Sequence, residues 1–321
     1  MYTVVTGGAG FIGSNVIKEL NDRGIDKIIV VDNLGSSDKW KNLVGKRFSD
    51  LIHKSDLFQW LVDGVEHVSH IIHLGACSNT VETDAQYLLE NNYRYSRKLA
   101  TIAHSRNIRF LYASSAATYG NGQYGFSDDH ELLGTFKPLN MYGYSKHLFD
   151  LWVQKEGLLD RFIGLKYFNV FGPNEWHKGR MASALIKMTS QAVEKGKITL
   201  FSSHNDAYAD GEQKRDFVYV KDVARITCDL LFSDITGIYN VGRGEASSWN
   251  RLAQAVFQAL SLPKCIEYVP MPEDLQGKYQ YFTQAEVKKI QGALGQKFSP
   301  TSLEEAVDDY VNSHLLAERV W

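Results

Sequence analysis

The sequence predicts an α/β protein built on a doubly wound parallel sheet, with a smaller α/β substrate domain at its C-terminal end. Three observations carry this. The chain opens with a short apolar strand, Tyr2 to Val5, a glycine-rich turn, Thr6 to Gly13, and an amphipathic run through Val16, Ile17 and Leu20. Strand-like and helix-like segments then alternate through the first half, the pattern of a mostly parallel sheet covered on both faces. After Gly172-Pro173 the alternation becomes irregular, which marks a second unit.

The first unit predicts a phosphate-binding turn. Gly7, Gly10 and Gly13 stand three residues apart between a strand and a helix. Gly7 suits the sharp turn, Gly10 the approach of backbone to a diphosphate, and Gly13 close packing of helix on strand. The helix N-terminus adds free N–H groups and partial positive charge for an anion. A tight βα turn without a ligand is the alternative, but the context on both sides favours a dinucleotide. The second strand, Lys27 to Val31, ends at Asp32-Asn33, the distance at which an acid bonds the adenosine ribose. Lys39 and Lys54 follow as cations able to accept a 2′-phosphate, so these residues leave NAD and NADP both open.

A further strand over Val68 to Leu74 runs into the small-residue loop Gly75-Ala76-Cys77-Ser78. A long helix is expected from about Asp84 to Arg106, then a strand from Arg109 to Ala113 ending at Ser114-Ser115. A helix begins near Tyr142, followed by a strand over Phe162 to Phe168. Gly7, Asp32, Gly75, Ser115 and Asn169 all fall just past strand ends, where such sheets bind ligands. In the second unit a helix is expected over Met181 to Val193 and a polar surface loop over Ser202 to Gln213. Strands follow at Asp216 to Val220 and Ile238 to Val241, and a helix from Trp249 to Leu260. The expected organisation is a Rossmann-type domain over 1–169 with a return segment near 214–242. The substrate domain takes 170–213 and 243–321.

Composition narrows the functions. At 321 residues, 44% hydrophobic and 22% charged, the chain reads as an ordinary globular protein. Its net charge of −2 provides no footprint for nucleic acid. No apolar stretch approaches the ~20 residues that span a bilayer. The N-terminus runs directly into the first strand, so no signal peptide is expected. Cys77, Cys228 and Cys265 are scattered, which suggests a reduced, cytoplasmic protein. Ten histidines form no metal-binding pattern, and His70 and His73 read as structural, so no metal is expected.

Ser115 with Tyr142-Gly143-Tyr144-Ser145-Lys146 is the catalytic signature. Tyr142 and Lys146, four apart, share a helix face. A phenol titrates near ~10 unperturbed, and a neighbouring ammonium favours the phenolate. Tyr142 then exchanges a proton at a carbon–oxygen centre while hydride moves to or from a nicotinamide. Lys146 also reaches the nicotinamide ribose, and Ser115 holds the substrate oxygen. Tyr and Lys meet on many solvated helices; the glycine turn and the strand-end serine make this pair functional.

With these motifs the chain resembles the extended short-chain dehydrogenase/reductases, the sugar-nucleotide epimerases and dehydratases. Within them it more closely resembles the ADP-L-glycero-D-manno-heptose 6-epimerases. The matching stretches, among them TGGAGFIGSN, VVDNL, ENNYRYS, YASSAATYG, PLNMYGYSK, HKGRMAS and KRDFVYVKDVA, run from Thr6 to Glu286. The resemblance implies bound NADP rather than NAD, an ADP-heptose substrate epimerised at carbon 6, a homo-oligomer (a pentamer in the family), and a role in lipopolysaccharide inner-core synthesis. It assigns cofactor contacts to Phe11, Ile12, Asp32, Asn33, Lys39, Lys54, Leu74 to Ser78, Asn91, Lys146, Val170 and Lys178. The reaction falls to Ser115, Tyr142, Lys146 and Lys178. The sugar nucleotide falls to Ser115, Asn169, Arg180, Lys187, Phe201, Arg215 and Tyr279. Arg180 and Lys187 depart from the small Ser and the His expected there, and the 202–214 loop is long.

Lys178 keeps two readings, a clamp on the substrate diphosphate and a second acid/base opposite Tyr142. A 4-epimerase of the same superfamily is the principal alternative. A 4,6-dehydratase would need an Asp-Glu pair where this chain has Ala116-Ala117, and a non-catalytic cofactor sensor would be expected to lack Tyr142 or Lys146.

Overall fold

The computed structural model describes residues 1–272 and 280–321. The first half runs β1 (Tyr2–Thr6), α1 (Phe11–Asp22), β2 (Ile28–Asp32), β3 (Asp50–His53), α2 (Leu57–Gly64) and β4 (Val68–His73). It continues through α3 (Ala85–Leu88), a π-helical turn (Leu89–Arg94), α4 (Tyr95–Ser105), β5 (Arg109–Ser115), α5 (Met141–Lys155) and β6 (Phe162–Tyr167). The second half holds β7 (Asn169–Phe171), α6 (Ala184–Lys195), β8 (Ile198–Phe201), β9 (Lys214–Tyr219) and α7 (Val220–Leu231). After these come β10 (Gly237–Val241), β11 (Ala246–Ser248), α8 (Trp249–Ala259), β12 (Ile266–Val269) and the helices Lys288–Leu294 and Leu303–Asp308.

Seven strands form one sheet in the order β3-β2-β1-β4-β5-β6-β10, and every pairing is parallel. Both faces are covered, so the strands read as continuous apolar runs rather than alternating ones; all five residues of β2 are buried. Val5, Val30, Ile72 and Ile163 face α1 and α7, meeting Val16, Ile17, Leu20, Val223 and Ile226. Their neighbours Val4, Ile29, Ile71 and Phe162 face the opposite layer, meeting Leu57, Leu99, Phe149 and Val153. Chain order reverses between β1 and β4, the switch point at which such sheets open a crevice.

A second core joins α6, α8, β8, β9 and the helix Leu303–Asp308 through Leu185, Met188, Phe217, Val256, Leu303 and Tyr310. There β9 pairs in parallel with β7 and antiparallel with β11, and β12 pairs with β8. Among the described residues no helix is long and apolar enough to cross a membrane, and no group of His, Cys, Asp or Glu assembles to hold a metal ion.

Two expected helices differ in detail. The run expected over Asp84 to Arg106 is interrupted by the π-helical turn. The helix expected from Met181 starts at Ala184. Gly179, at φ +52°, breaks a preceding 3-10 turn at Trp176–Met181, and Ala182 and Ser183 are extended before the helix begins.

Candidate active site and cofactor cleft

The glycine turn packs against the loop after β4. A Cβ on Gly13 would stand 2.1 Å from the Gly7 carbonyl oxygen, and one on Gly7, at φ +68°, only 2.7 Å from the Gly75 nitrogen. Two turns from adjacent strands thus touch backbone to backbone, and Gly7 and Gly13 are a steric necessity. The first turn of α1 contains no acid, and Gly10 caps it without a side chain. Its leading N–H groups and positive dipole end remain for an anion.

A cleft of about 410 Å³ opens over this turn. Its wall includes Gly7, Gly10, Phe11, Ile12, Gly13, Asp32, Asn33, Lys39, Lys54, Leu74, Gly75, Ala76, Cys77, Ser78, Asn91 and Lys178. Sixteen separate sequence assignments therefore meet on one surface. Of the assigned cofactor residues, Lys146 and Val170 lie outside that wall. Val170 packs on the sheet core. Lys146 stands directly behind the wall, its Nζ donating at 2.9 Å to the carbonyl of Ala113, which lines the cleft.

Asp32 is already engaged. It accepts from Lys39 Nζ at 2.7 Å, from the Ala9 N–H at 2.9 Å and from the Asn33 N–H at 2.7 Å. Lys54 donates to Asn91 Oδ1 at 2.7 Å. These contacts set two lysines and one carboxylate along the same rim. The cradle fits a dinucleotide: close-approach glycines, an uncapped helix N-terminus, and Lys39 and Lys54 in the lining.

Ser115 ends β5, and Tyr142 lies in the first turn of α5 with its phenol beside Ser115. Asn140 caps α5 by accepting from the Gly143 N–H at 2.8 Å, which sets the helix start one residue before Tyr142. Gly143 allows the close approach, since a Cβ there would stand 2.7 Å from the Ala117 oxygen. Sequence reasoning expects Lys146 to lower the Tyr142 pKa. In the structure burial raises it above the ordinary phenol value, with the neighbouring Ser115 hydroxyl pulling the other way. Burial also pushes the Lys146 ammonium down to about 8, against the attraction of Asp150. Desolvation outweighs the helix-face pairing because both side chains are largely withdrawn from water.

Lys178 reaches the cleft from the 3-10 turn after β7, with Nζ 5.1 Å from the centre of the Phe11 ring. Burial lowers its pKa and Glu175 opposes that. The substrate-side residues are more dispersed, and among the described ones none lines the cleft. Asn169, on β7, accepts from Thr283 Oγ1 at 3.4 Å. Arg215 is buried on β9 and donates to the Lys214 carbonyl. Phe201 ends β8, while Arg180 and Lys187 are exposed on the 3-10 turn and on α6. Tyr279 lies outside the described residues. The long 202–214 loop is ordered by its own contacts: Asp210 accepts from the Ser203 N–H at 2.7 Å, and Asn205 accepts from the Ala207 N–H at 3.0 Å.

Several residues escaped sequence reasoning. Asn92 exchanges hydrogen bonds with both backbone groups of Cys77 and donates to Ser145 Oγ, tying the cleft loop to α5. It sits in the π-helical turn beside Asn91, and such turns concentrate at functional sites. The adjacent Asn-Asn pair was the available signal. His177 also lines the cleft, held through Asn42; its place depends on a contact across 135 residues, which no local pattern reveals.

With this geometry in place, the comparisons with known proteins have a physical basis. The family model described as "NAD dependent epimerase/dehydratase family" matches residues 3–242. An ADP-L-glycero-D-manno-heptose-6-epimerase of Nitratidesulfovibrio vulgaris (strain DP4) is 50% identical over 317 residues, 98% of each chain. One of Fusobacterium nucleatum is 45% identical over 327 residues, again 98% of each. The crystal structure of the Helicobacter pylori ADP-L-glycero-D-manno-heptose-6-epimerase superposes with a TM-score of 0.80 at 29% identity, covering 98% of this chain and 96% of that one. The chain is an enzyme of the isomerase type, and it belongs to the NAD dependent epimerase/dehydratase family, among its ADP-L-glycero-D-manno-heptose-6-epimerases.

Proposed function

We propose that this protein interconverts ADP-D-glycero- and ADP-L-glycero-D-manno-heptose by transient oxidation at carbon 6, using bound NADP. The observation that carries the reading is the Tyr142 phenol beside Ser115, with Lys146 one helical turn on and bonded to the Ala113 carbonyl of the cleft wall. Bound in the cleft, a nicotinamide dinucleotide supplies the acceptor and donor of hydride. Ser115 holds the substrate oxygen by its hydroxyl. Tyr142 as phenolate takes the proton of the carbon 6 alcohol of one epimer, and as phenol it gives one to the ketone oxygen when the reaction runs the other way. Burial favours the protonated phenol, so Tyr142 rests as the donor, and Lys146 is the cation that eases loss of the proton.

Lys178 acts from the cleft wall beside Phe11 as the second acid/base, on the face opposite Tyr142. Inversion requires the ketone to turn over before hydride returns, and two proton-exchanging groups suit the two faces. Asn169, Arg180, Lys187, Phe201, Arg215 and Tyr279 would hold the sugar nucleotide. Lys39 and Lys54 beside Asp32 support NADP over NAD. The enzyme would work in the cytoplasm as a homo-oligomer, a pentamer by resemblance, supplying lipopolysaccharide inner-core precursor.

Mass spectrometry of the nucleotide released on denaturation, then NMR of each ADP-heptose epimer with purified protein and no added cofactor, tests this. NADP and convergence of both epimers on one mixture are expected. Turnover of UDP-hexoses with none of ADP-heptose would overturn the reading.

A further inference from the structure

Lys178 is carried by a segment with no core of its own: the 3-10 turn Trp176–Met181 contains no buried residue. Its position depends on polar ties, and Glu175 makes most of them. Glu175 is fully buried. Its carboxylate accepts from the Gly172 N–H at 3.4 Å, from the Ser183 N–H at 2.6 Å, from Ser183 Oγ at 2.6 Å and from the Tyr310 hydroxyl at 3.1 Å. Gly172 and Ser183 are the two ends of the loop, so one side chain closes it. All four partners donate, the pattern of an ionised carboxylate, which only accepts.

Two details argue that this is more than packing. Ser183 is the N-cap of α6, yet its hydroxyl makes no capping bond and goes to Glu175 instead; a capping hydroxyl ordinarily contributes about 1 kcal/mol. Among the described residues no cation lies within ion-pair distance of Glu175, and an uncompensated buried charge costs stability. The Lys178 N–H bonds the Glu175 carbonyl at 3.0 Å, which fixes the lysine one turn beyond the clamp. Asn42 provides a second tie, donating to the Asn174 carbonyl and meeting the His177 ring.

We propose that Glu175 is a positioning residue for the epimerisation: by closing the 172–183 loop and facing Lys178, it holds the Lys178 ammonium at the cofactor cleft. This rests on the reacting role assigned to Lys178 above. Burial raises the Glu175 carboxyl and lowers the Lys178 ammonium, and each opposes the other's shift, Glu175 favouring the charged lysine and Lys178 the charged carboxylate. The other groups around Lys178 are His177 on its own turn, the apolar Phe11 ring from α1, and Lys39 and Asp32 across the cleft, which act on His177.

Glu175→Gln tests the proposal. A misplaced reacting group costs on the order of 10²-fold, so kcat is expected to fall about that much while NADP content and KM change little. In a Lys178→Met background Glu175→Gln should cause no further loss, because both act through one group. The alkaline limb of the kcat profile should move to lower pH, since removing the carboxylate favours neutral Lys178. Carbon-13 reductive methylation followed by NMR titration of Lys178 reads the same shift without any sugar. Additive losses in the double variant, or an unchanged Lys178 titration, would overturn the proposal. If the unaltered protein turns over no ADP-heptose, the functional reading fails separately, and the Lys178 titration still decides for or against Glu175. Should Glu175→Gln not fold, Ser183→Ala keeps the carboxylate and removes one donor. A kcat loss of about tenfold is expected there as a fraction of the same misplacement, and unchanged kcat would overturn the proposal.

Discussion

Lys166 and Asp150 form an ion pair with Nζ and Oδ2 2.6 Å apart, and neither side chain is exposed. Asp150 also accepts from Ser114 Oγ at 2.7 Å and from the Tyr112 hydroxyl at 3.1 Å, and Lys166 donates to Thr118 Oγ1 at 2.7 Å. The network joins β5 and β6 to α5, two turns beyond Tyr142. It therefore pins α5 to the sheet by polar contacts. Removing one partner strands the other charge: Lys166→Met should cost about 3–5 kcal/mol. Asp150→Leu combined with Lys166→Met should recover much of that. Urea unfolding of the single and double variants measures both.

Tyr142→Phe removes only the phenolic oxygen. The rate should fall by about two to four orders of magnitude, the usual range of a general acid–base contribution. Cofactor content should be unchanged, because Tyr142 does not line the dinucleotide cleft. Turnover near that of the unaltered protein would remove Tyr142 from the mechanism.

Gly13→Ala places a methyl 2.1 Å from the Gly7 carbonyl oxygen, and backbone on both sides prevents relief. The turn must open, which costs about 1–3 kcal/mol as an overpacked site. Dinucleotide affinity should drop at least about tenfold, the factor that corresponds to 1.4 kcal/mol. Calorimetric titration and a melting curve separate the two effects. Gly24→Ala is the control, since nothing lies within 4 Å of its Cβ although its φ of +78° adds local strain.

His73 supplies a pH prediction. It is buried between Thr6 Oγ1 at 2.7 Å and Ser96 Oγ at 2.8 Å. Burial, with the Lys146 charge adding to it, pushes the imidazole down to about 3. The unfolded chain takes this proton near pH ~6.5, so between those values the unfolded state binds more protons. Stability from the neutral ring is fully present above about pH 6.5 and lost as pH falls toward 3, at up to about 1.4 kcal/mol per unit. Denaturation midpoints at pH 7, 5.5 and 4.5 should fall more steeply for the unaltered protein than for His73→Gln. A His73 ring that titrates above pH 5 by NMR would contradict this.

Legibility followed sequence distance. The glycine turn, Asp32 and the Gly75 to Ser78 loop each occupy a few consecutive residues at a strand end, so local pattern exposes them. Lys178 entered through resemblance rather than spacing. Its clamp went unseen, because Glu175 meets Tyr310 across 135 residues. The Tyr142 pKa shows a different failure. Helical spacing sets Lys146 on the same face, but burial, which spacing does not report, decides the sign of the shift.

By itself, then, the sequence indicated the alternation of strand and helix and the glycine turn, since each depends on neighbours along the chain, although β3, α2, β8 and β12 are not among the expected elements. The tertiary structure alone decided that Lys39 and Asp32 pair on the cleft rim, that Asn92 ties the Cys77 loop to α5, and that a buried carboxylate closes the Lys178 loop. Those outcomes depend on desolvation and on donors and acceptors brought together from distant segments. Both quantities exist only once the sheet has gathered its strand ends at one crevice.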